Sequence, residues 1–161
     1  MAVWTYGTKQ DASDHTVMYA RSEDGGRTWS DPGQFDPPGP KYGQVASFGF
    51  PVISRTGRIY VFYNKGTGVG ANYQTSFLRC SYSDDDGHTW VAGGVDISYR
   101  RSILSHPDPS IGTNSIVWQK PIRDAMDRVL VGYTEWSSPA ANRPNVLRRP
   151  DGTHKTYRHD C

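Results

Sequence analysis

The sequence contains SEDGGRTW at residues 22–29 and SDDDGHTW at residues 83–90, two copies of the pattern Ser-x-Asp-x-Gly-x-Thr-Trp. Each copy follows a run with strand character, TVMYARS in the first case and TSFLRCSYS in the second. An Asp at the third position can accept hydrogen bonds from backbone N–H groups of its own turn, and the Gly supplies a positive φ. The pattern therefore predicts a hairpin turn at each copy, after which the Thr and Trp restart a strand.

We assign a structural role to the five fixed positions of each turn, and expect the Trp to cover a neighbouring hairpin. These positions are Ser22, Asp24, Gly26, Thr28 and Trp29 in the first copy, and Ser83, Asp85, Gly87, Thr89 and Trp90 in the second.

A second repeat relates PVISRTGRIYVFY at residues 51–63 to PIRDAMDRVLVGY at residues 121–133. The offset is 121 − 51 = 70 residues, while the two turn motifs are offset by 85 − 24 = 61 residues. Both offsets describe one unit of roughly 60 to 70 residues, which fits a four-stranded propeller blade with long loops.

Apolar and β-branched runs bounded by Gly, Pro, Asn and Asp predict an all-β chain with little helix. The predicted strands are 2–7, 16–22 and one beginning at Trp29, then 50–54, 58–64, 75–83 and 90–97, then 115–123 and 128–136. We interpret residues 1–161 as a single partial propeller domain, with the end of a first blade at 1–36, a complete blade at 47–98 and the start of the next at 114–161. Cys80, within a predicted strand, is expected to be a buried free thiol.

The two turn motifs resemble the Asp-box (BNR) repeats of the sialidase superfamily, whose members fold as six-bladed β-propellers. The segment FGFPVISRTGRIYVFYN also resembles the inner strand of that family and its partner strand. The resemblance covers about residues 2–136 and implies a partial six-bladed-type propeller of four-stranded antiparallel blades. It is specific for the superfamily and much less so for an enzymatic activity.

Chain length bears on this interpretation. Six blades need roughly 360 to 420 residues, so 161 residues supply about two and a half. We expect a fragment of a larger propeller whose open strand edges pair with missing blades or with another copy; the alternative is an open stack of sheets that is stable by itself.

Charge and composition exclude several partner classes. The net charge is +2, from 18 Lys and Arg against 16 Asp and Glu, which gives no strong case for nucleic acid or acidic membranes. The basic segment 148–160 is interpreted as a solvated loop or chain end rather than a binding patch. No apolar run is long enough for a membrane span, and MAVWTYG at the N-terminus does not have the features of a signal peptide.

Neither a metal nor another cofactor is predicted. The acidic run Asp84, Asp85 and Asp86 is followed by Gly87 at the fourth position, whereas a helix-loop-helix calcium site needs Gly at the sixth. The five histidines form no ligand pair on a helix.

A carbohydrate ligand is expected at the mouth, the end at which the chain enters each inner strand. The positions before Pro51 and Pro121 select Phe50, together with Trp118, Gln119 and Lys120. Trp118 either stacks on a sugar ring or fills space between blades, and Lys120 either pairs with a carboxylate or is solvated. Arg123 stands where the preceding unit has Ile53, so Asp124 or a ligand anion is expected to balance its charge.

The resemblance also implies a chemistry. Sialidases use a Tyr nucleophile activated by a Glu, an Asp acid/base and three Arg that bind the substrate carboxylate. The family's Asp lies in the loop before the strand that enters the first Asp box, which selects Asp14 here, with Asp11 in reserve; the alternative for Asp14 is an ordinary turn residue. Where the family has its second Arg, this chain offers only Lys9 among residues 2–9.

The resemblance therefore predicts a sialidase-like glycoside hydrolase that acts on a terminal sugar and is incomplete and inactive as this chain alone. The alternative is a non-catalytic Asp-box propeller that binds glycans or proteins, because fold does not fix function. A polysaccharide lyase on the same scaffold is a third possibility.

Overall fold

The computed structural model describes residues 1–9, 14–35, 45–66, 76–91, 94–98, 100–110, 115–117 and 119–135. Throughout these ranges the regular structure is β-strand, so the predicted all-β class is confirmed. The strands are β1 (Ala2–Tyr6), β2 (Thr16–Ala20), β3 (Gly33–Gln34), β4 (Ala46–Ile53), β5 (Ile59–Gly66), β6 (Ser76–Ser83), β7 (Val95–Ile97), β8 (Ser115–Ile116), β9 (Ile122–Arg123), β10 (Val129–Leu130) and β11 (Thr134–Glu135).

All pairings between these strands are antiparallel. Strands β1–β3 form one sheet in chain order, and β4–β7 form a second. Two short sheets follow, in which β8 pairs with β11 and β9 with β10. We refer to β1–β3 as blade 1, to β4–β7 as blade 2 and to β8–β11 as blade 3.

The predicted strand that begins at Trp29 is wrong, because Trp29 is still part of the turn. Its indole N–H donates to the Gly26 carbonyl at 3.1 Å, and the N–H of Ser30 donates to the carbonyl of Arg21 at 2.8 Å. Pro32 has no N–H to give to a strand ladder, and β3 begins directly after it, at Gly33.

The last strand of blade 2 also begins later than predicted, at Val95 instead of Trp90. Trp90 stays in its turn because its indole N–H donates to the Gly87 carbonyl at 3.2 Å. At the other side of the blade, β4 begins at Ala46, four residues before the predicted start at Phe50. A bulge between Ser47 and Phe50 interrupts its pairing with β5, and Phe48 there has a φ of 58°.

Blade 3 corrects the prediction of two continuous strands at 115–123 and 128–136. Each is divided: β8 ends at Ile116 and β9 begins at Ile122, while β10 ends at Leu130 and β11 begins at Thr134. The 70-residue repeat nevertheless governs the register: Arg123 pairs with Val129 as Ile53 pairs with Ile59. The tight turns match as well, since Asp127 adopts a φ of 65° where Gly57 has 90°.

The main core lies between blade 1 and blade 2. Its buried residues are Val17, Phe35, Ala46, Val61 and Tyr63, with Val3, Tyr19 and Trp90 packed against them. Gly49 in β4 allows the two sheets to approach, because a Cβ there would lie 2.5 Å from Cγ1 of Val17 and 2.7 Å from Cγ1 of Val3. Cys80 is a buried free thiol, as predicted.

Neighbouring blades are joined by one recurrent hydrogen bond. The N–H of Phe48 in blade 2 donates to Oγ1 of Thr5 in blade 1 at 2.9 Å. The N–H of Val117 in blade 3 donates to Oδ1 of Asn64 in blade 2 at 3.3 Å. In both cases a polar side chain, on β1 or on β5, accepts a backbone N–H from the next blade. The sheets are therefore stacked as blades of a partial propeller.

None of the described residues belongs to a helix with the length and apolar character needed to cross a membrane.

Candidate functional site

The first Asp-box turn is built around the carboxylate of Asp24. Its Oδ1 accepts the N–H groups of Arg27 and Thr28, both at 2.9 Å, and its Oδ2 accepts the hydroxyl of Thr28 at 2.7 Å. The hydroxyl of Ser22 donates to Oδ1 at 2.8 Å and accepts the N–H of Gly26 at 2.7 Å. These donors, the Thr28 hydroxyl foremost, hold the pKa of Asp24 far below its usual value.

The second turn repeats this arrangement around Asp85. Its carboxylate accepts the N–H of Thr89 at 2.8 Å and the hydroxyl of Thr89 at 2.6 Å. The hydroxyl of Ser83 donates to Asp85 at 2.7 Å, and these contacts also lower the pKa of Asp85 strongly. Both carboxylates are committed to their own turns.

The two boxes differ in what covers them. The ring of Trp90 contacts Phe35 edge-on at 4.5 Å between centroids, whereas Trp29 is 50% exposed. Arg21, the residue before the first box, donates through Nε to the carbonyl of Asp86 at 2.8 Å and contacts both ring nitrogens of His88. Arg21, which precedes the first box, therefore packs on the second box.

The candidate acid/base Asp14 lies in the loop between β1 and β2. Its carboxylate is exposed and accepts the N–H of Thr8 at 3.1 Å and the hydroxyl of Thr8 at 3.3 Å. Lys9, in the same loop, is exposed, and its carbonyl contacts Nε2 of His15 at 2.8 Å. The reserve candidate Asp11 lies outside the described residues.

This loop is adjacent to the start of the inner strand of blade 2. The N–H of Ala46, the first residue of β4, donates to the carbonyl of His15 at 2.7 Å. The Asp14 loop and the entry to β4 thus share one end of the sheets, which is the end we defined as the mouth. Phe50 is half-buried further along the same strand.

A groove of about 640 Å³ collects two of the predicted binding residues, Lys120 and Arg123. Its other lining residues are Met1, Pro51, Val52, Ile53, Ile59, Pro121 and Ile122. Lys120 and Gln119 are exposed, and Trp118 lies outside the described residues. The groove combines an apolar floor with the exposed cation Lys120, so it suits a ligand with an apolar face and an anionic group.

Arg123 is balanced by a different residue from the one expected. Its guanidinium contacts Oδ1 of Asp127 at 2.9 Å, while Asp124 pairs with Arg128 at 2.6 Å. Oδ1 of Asp127 also lies 3.3 Å from Nε of Arg55, which belongs to the turn between β4 and β5 of blade 2. Because Asp127 bridges two arginines, Arg123 takes part in a contact between blades.

The candidates do not converge on one point. His15, next to Asp14, binds Ala46 at one end of β4, while Ile53 at the other end lines the groove with Lys120 and Arg123. A strand rises about 3.3 Å per residue, which separates the two ends by roughly 20 Å. The structure thus places Lys9 and Asp14 in one loop, and Lys120 and Arg123 along one groove.

The sequence interpretation missed a polar cluster on the loop that leads into β8. The hydroxyl of Ser105 donates to a carboxylate oxygen of Glu135, and Ser105 is buried. Arg101 donates to the carbonyl of Asp108 at 3.2 Å within the same loop. The sequence could have indicated this cluster, because ligand-binding residues were expected in the loops that lead into inner strands. Tyr133, two residues before Glu135, is 42% exposed, whereas Ser105 is buried.

In the described part of the chain, no group of three His, Cys, Asp or Glu residues is placed to hold a metal ion.

Comparisons with known proteins agree with the two Asp boxes and the stacked sheets. A family model described as a BNR repeat-like domain matches residues 1–155. No curated protein matches the chain. Because the matched residues span nearly the whole sequence and include both boxes, the chain belongs to the BNR repeat-like family.

Proposed function

We propose that this chain forms part of a sialidase-like glycoside hydrolase that acts on a terminal sugar of a glycan, with Asp14 as the acid/base. The supporting observation is the position of Asp14. It is held by Thr8 in the loop that leads through β2 into the first Asp box, beside the entry to the inner strand β4.

Two features of this loop suit the proposed chemistry. An acid/base must present one carboxylate oxygen to the glycosidic oxygen, and the contacts from Thr8 fix the orientation of the Asp14 carboxylate. The carboxylate is exposed in the unliganded chain, so a glycosidic oxygen can reach it.

Lys9 is an exposed cation of the same loop, and an ammonium binds a carboxylate as a point charge without the bidentate geometry of Arg. The proposal therefore does not single out sialic acid as the terminal sugar.

The experiment is a hydrolysis assay of the natural-length protein on a panel of fluorogenic glycosides that includes a sialoside. We expect turnover of at least one substrate and a fall in kcat of about 100-fold or more in Asp14→Asn. Asp31→Asn, at another exposed loop position, is the matched control and should retain full activity. Absence of turnover on every substrate, or an active Asp14→Asn enzyme, would refute the proposal.

The second candidate is a glycan- or protein-binding scaffold without catalysis. The separation of Asp14 from the groove that contains Lys120 and Arg123 favours it, because the groove can hold a ligand without Asp14. It predicts glycan binding that Lys120→Ala weakens and Asp14→Asn leaves unchanged, with no turnover. An array of immobilised glycans measures this directly.

A further inference from the structure

Phe48, in the inner strand of blade 2, has a backbone conformation that bulky side chains disfavour. Its φ of 58° lies in the left-handed region, where such a residue is an outlier. Asp86 and Asp127 of the described chain also have a positive φ, but both are turn residues of a type that tolerates this region. Phe48 is instead part of a strand. Strain of this kind persists only where the surroundings hold it, and it is concentrated at ligand sites.

The strain coincides with the bulge in β4. The two strands β4 and β5 pair at Ser47 with Asn64, and pair again at Phe50 with Phe62. Between these pairs β4 has two residues and β5 has one, so β4 carries one residue more than an unbroken ladder holds. Bulges of this kind change the direction of a side chain, and they are frequent next to active sites.

The neighbours of Phe48 occupy both sides of the sheet. Ser47 shares a side with its cross-strand partner Asn64, which binds blade 3. Gly49 is on the other side, because a Cβ there would lie 2.5 Å from Cγ1 of Val17 in blade 1. Regular alternation would place Ser47 and Gly49 on the same side. Phe48 is therefore the extra residue of the bulge.

Blade 1 fixes this conformation at a point close to the mouth. The N–H of Phe48 donates to Oγ1 of Thr5 at 2.9 Å, and the Phe48 side chain is half-buried. The strand β4 is an edge strand of its sheet, and the edge of an inner strand borders the central depression of a propeller. Ala46, which binds the carbonyl of His15 in the Asp14 loop, is two residues away, or about 7 Å along the strand.

We propose that Phe48 is a binding residue that stacks on the ring of a sugar in the central depression. The inference rests on the carbohydrate ligand of the proposed function. One face of a pyranose ring presents C–H groups, and an aromatic ring packs on such an apolar face. The bulge turns Phe48 away from the two sides of the sheet that pack against other blades. The sequence has a second aromatic residue, Trp118, at the same distance before the proline of the 70-residue repeat.

Saturation-transfer NMR on the natural-length protein tests this contact. The probes are the methyl glycosides of glucose, galactose, N-acetylglucosamine and sialic acid. Saturation of aromatic protein protons should reach the ring C–H protons of at least one glycoside. Phe48→Ala should abolish most of this signal and raise the Kd about tenfold, whereas Phe48→Tyr keeps an aromatic ring and should leave the Kd within about twofold of the wild type.

Phe48→Gly separates ligand binding from folding. Glycine adopts a positive φ without strain, so Phe48→Gly should melt at a higher temperature than Phe48→Ala and bind the glycoside as weakly. Phe62→Ala is the matched control, because it removes a half-buried ring from β5 of the same blade. It should lower the melting temperature and keep the wild-type saturation transfer.

Three results would overturn the inference: no transfer to any of the four glycosides in the wild type, an unchanged Kd in Phe48→Ala, or an equal loss of signal in Phe62→Ala. The outcome is distinct from that of the hydrolysis assay. Binding that depends on Phe48 without any turnover would refute the hydrolase and support the stacking role. Turnover with an unchanged KM in Phe48→Ala would refute the stacking role alone.

Discussion

Arg21 and Asp86 are joined by a hydrogen bond of 2.8 Å from the guanidinium to the main-chain carbonyl, across 65 residues of sequence. This bond connects the residue that precedes the first Asp box with the interior of the second box. The Arg21 side chain is 17% exposed, so the contact is shielded from solvent. The boxes are thus part of the packing between blades as well as turns within them.

Replacement of Arg21 should weaken the contact between blades 1 and 2. A hydrogen bond that involves a charged group contributes about 1.5–3 kcal/mol, so Arg21→Ala should lower the free energy of unfolding by about that amount. Arg27→Ala, an exposed position in the first box, is the matched control. Urea denaturation measures both; equal stability of Arg21→Ala and the wild type would contradict the assignment.

Gly49 should tolerate no side chain. The Cβ of Gly49→Ala would lie 2.5 Å from Val17, so we expect a loss of about 1–3 kcal/mol through overpacking between the blades. Gly132→Ala is the control, because its Cβ would lie 3.5 Å from Gln119, an ordinary contact, and it should leave the midpoint of thermal unfolding nearly unchanged. Equal midpoints for the two variants would show that the sheets do not approach closely at Gly49.

Acid should destabilise the chain through its two boxes. The pKa values of Asp24 and Asp85 lie below the usual 3.8 in the folded chain, because hydroxyl and amide donors stabilise the carboxylates. Their contribution is therefore complete above the unfolded-state pKa and is lost as the pH falls below it. Asp24→Asn and Asp85→Asn should lower the melting temperature at pH 7 and flatten its fall between about pH 5 and pH 2. A melting curve measured against pH for Asp31→Asn should keep the wild-type slope.

The thiol of Cys80 should be inert in the folded chain. Burial raises its pKa to about 11, so few thiolates form at pH 8 and reagents cannot reach them. In a Cys161→Ser background, a thiol reagent should label Cys80 only after denaturant is added. Labelling at the same rate without denaturant would show that β6 opens readily.

The local features of this fold were predictable because short segments encode them. Asp24 and Asp85 bind donors within four residues of themselves, so their pattern alone specifies each turn. The register of β9 with β10 follows from the 70-residue repeat for the same reason.

Some contacts were not predictable from pattern although they join residues only three or four positions apart, because they depend on the exact conformation of a turn. The indole bonds that keep Trp29 and Trp90 in their turns delay the next strand, and no periodicity reveals them. The partnership of Arg123 with Asp127 instead of Asp124 depends on the turn conformation of Asp127. The catalytic assignment of Asp14 rests on family resemblance and stays a prediction.

The bonds from Thr5 and Asn64 reach main-chain N–H groups of the next inner strand, not side chains. Any residue except proline carries that donor. The identity of the side chain at Phe48 or Val117 therefore does not create the hydrogen bond between blades; the acceptors Thr5 and Asn64 on the preceding blade encode it.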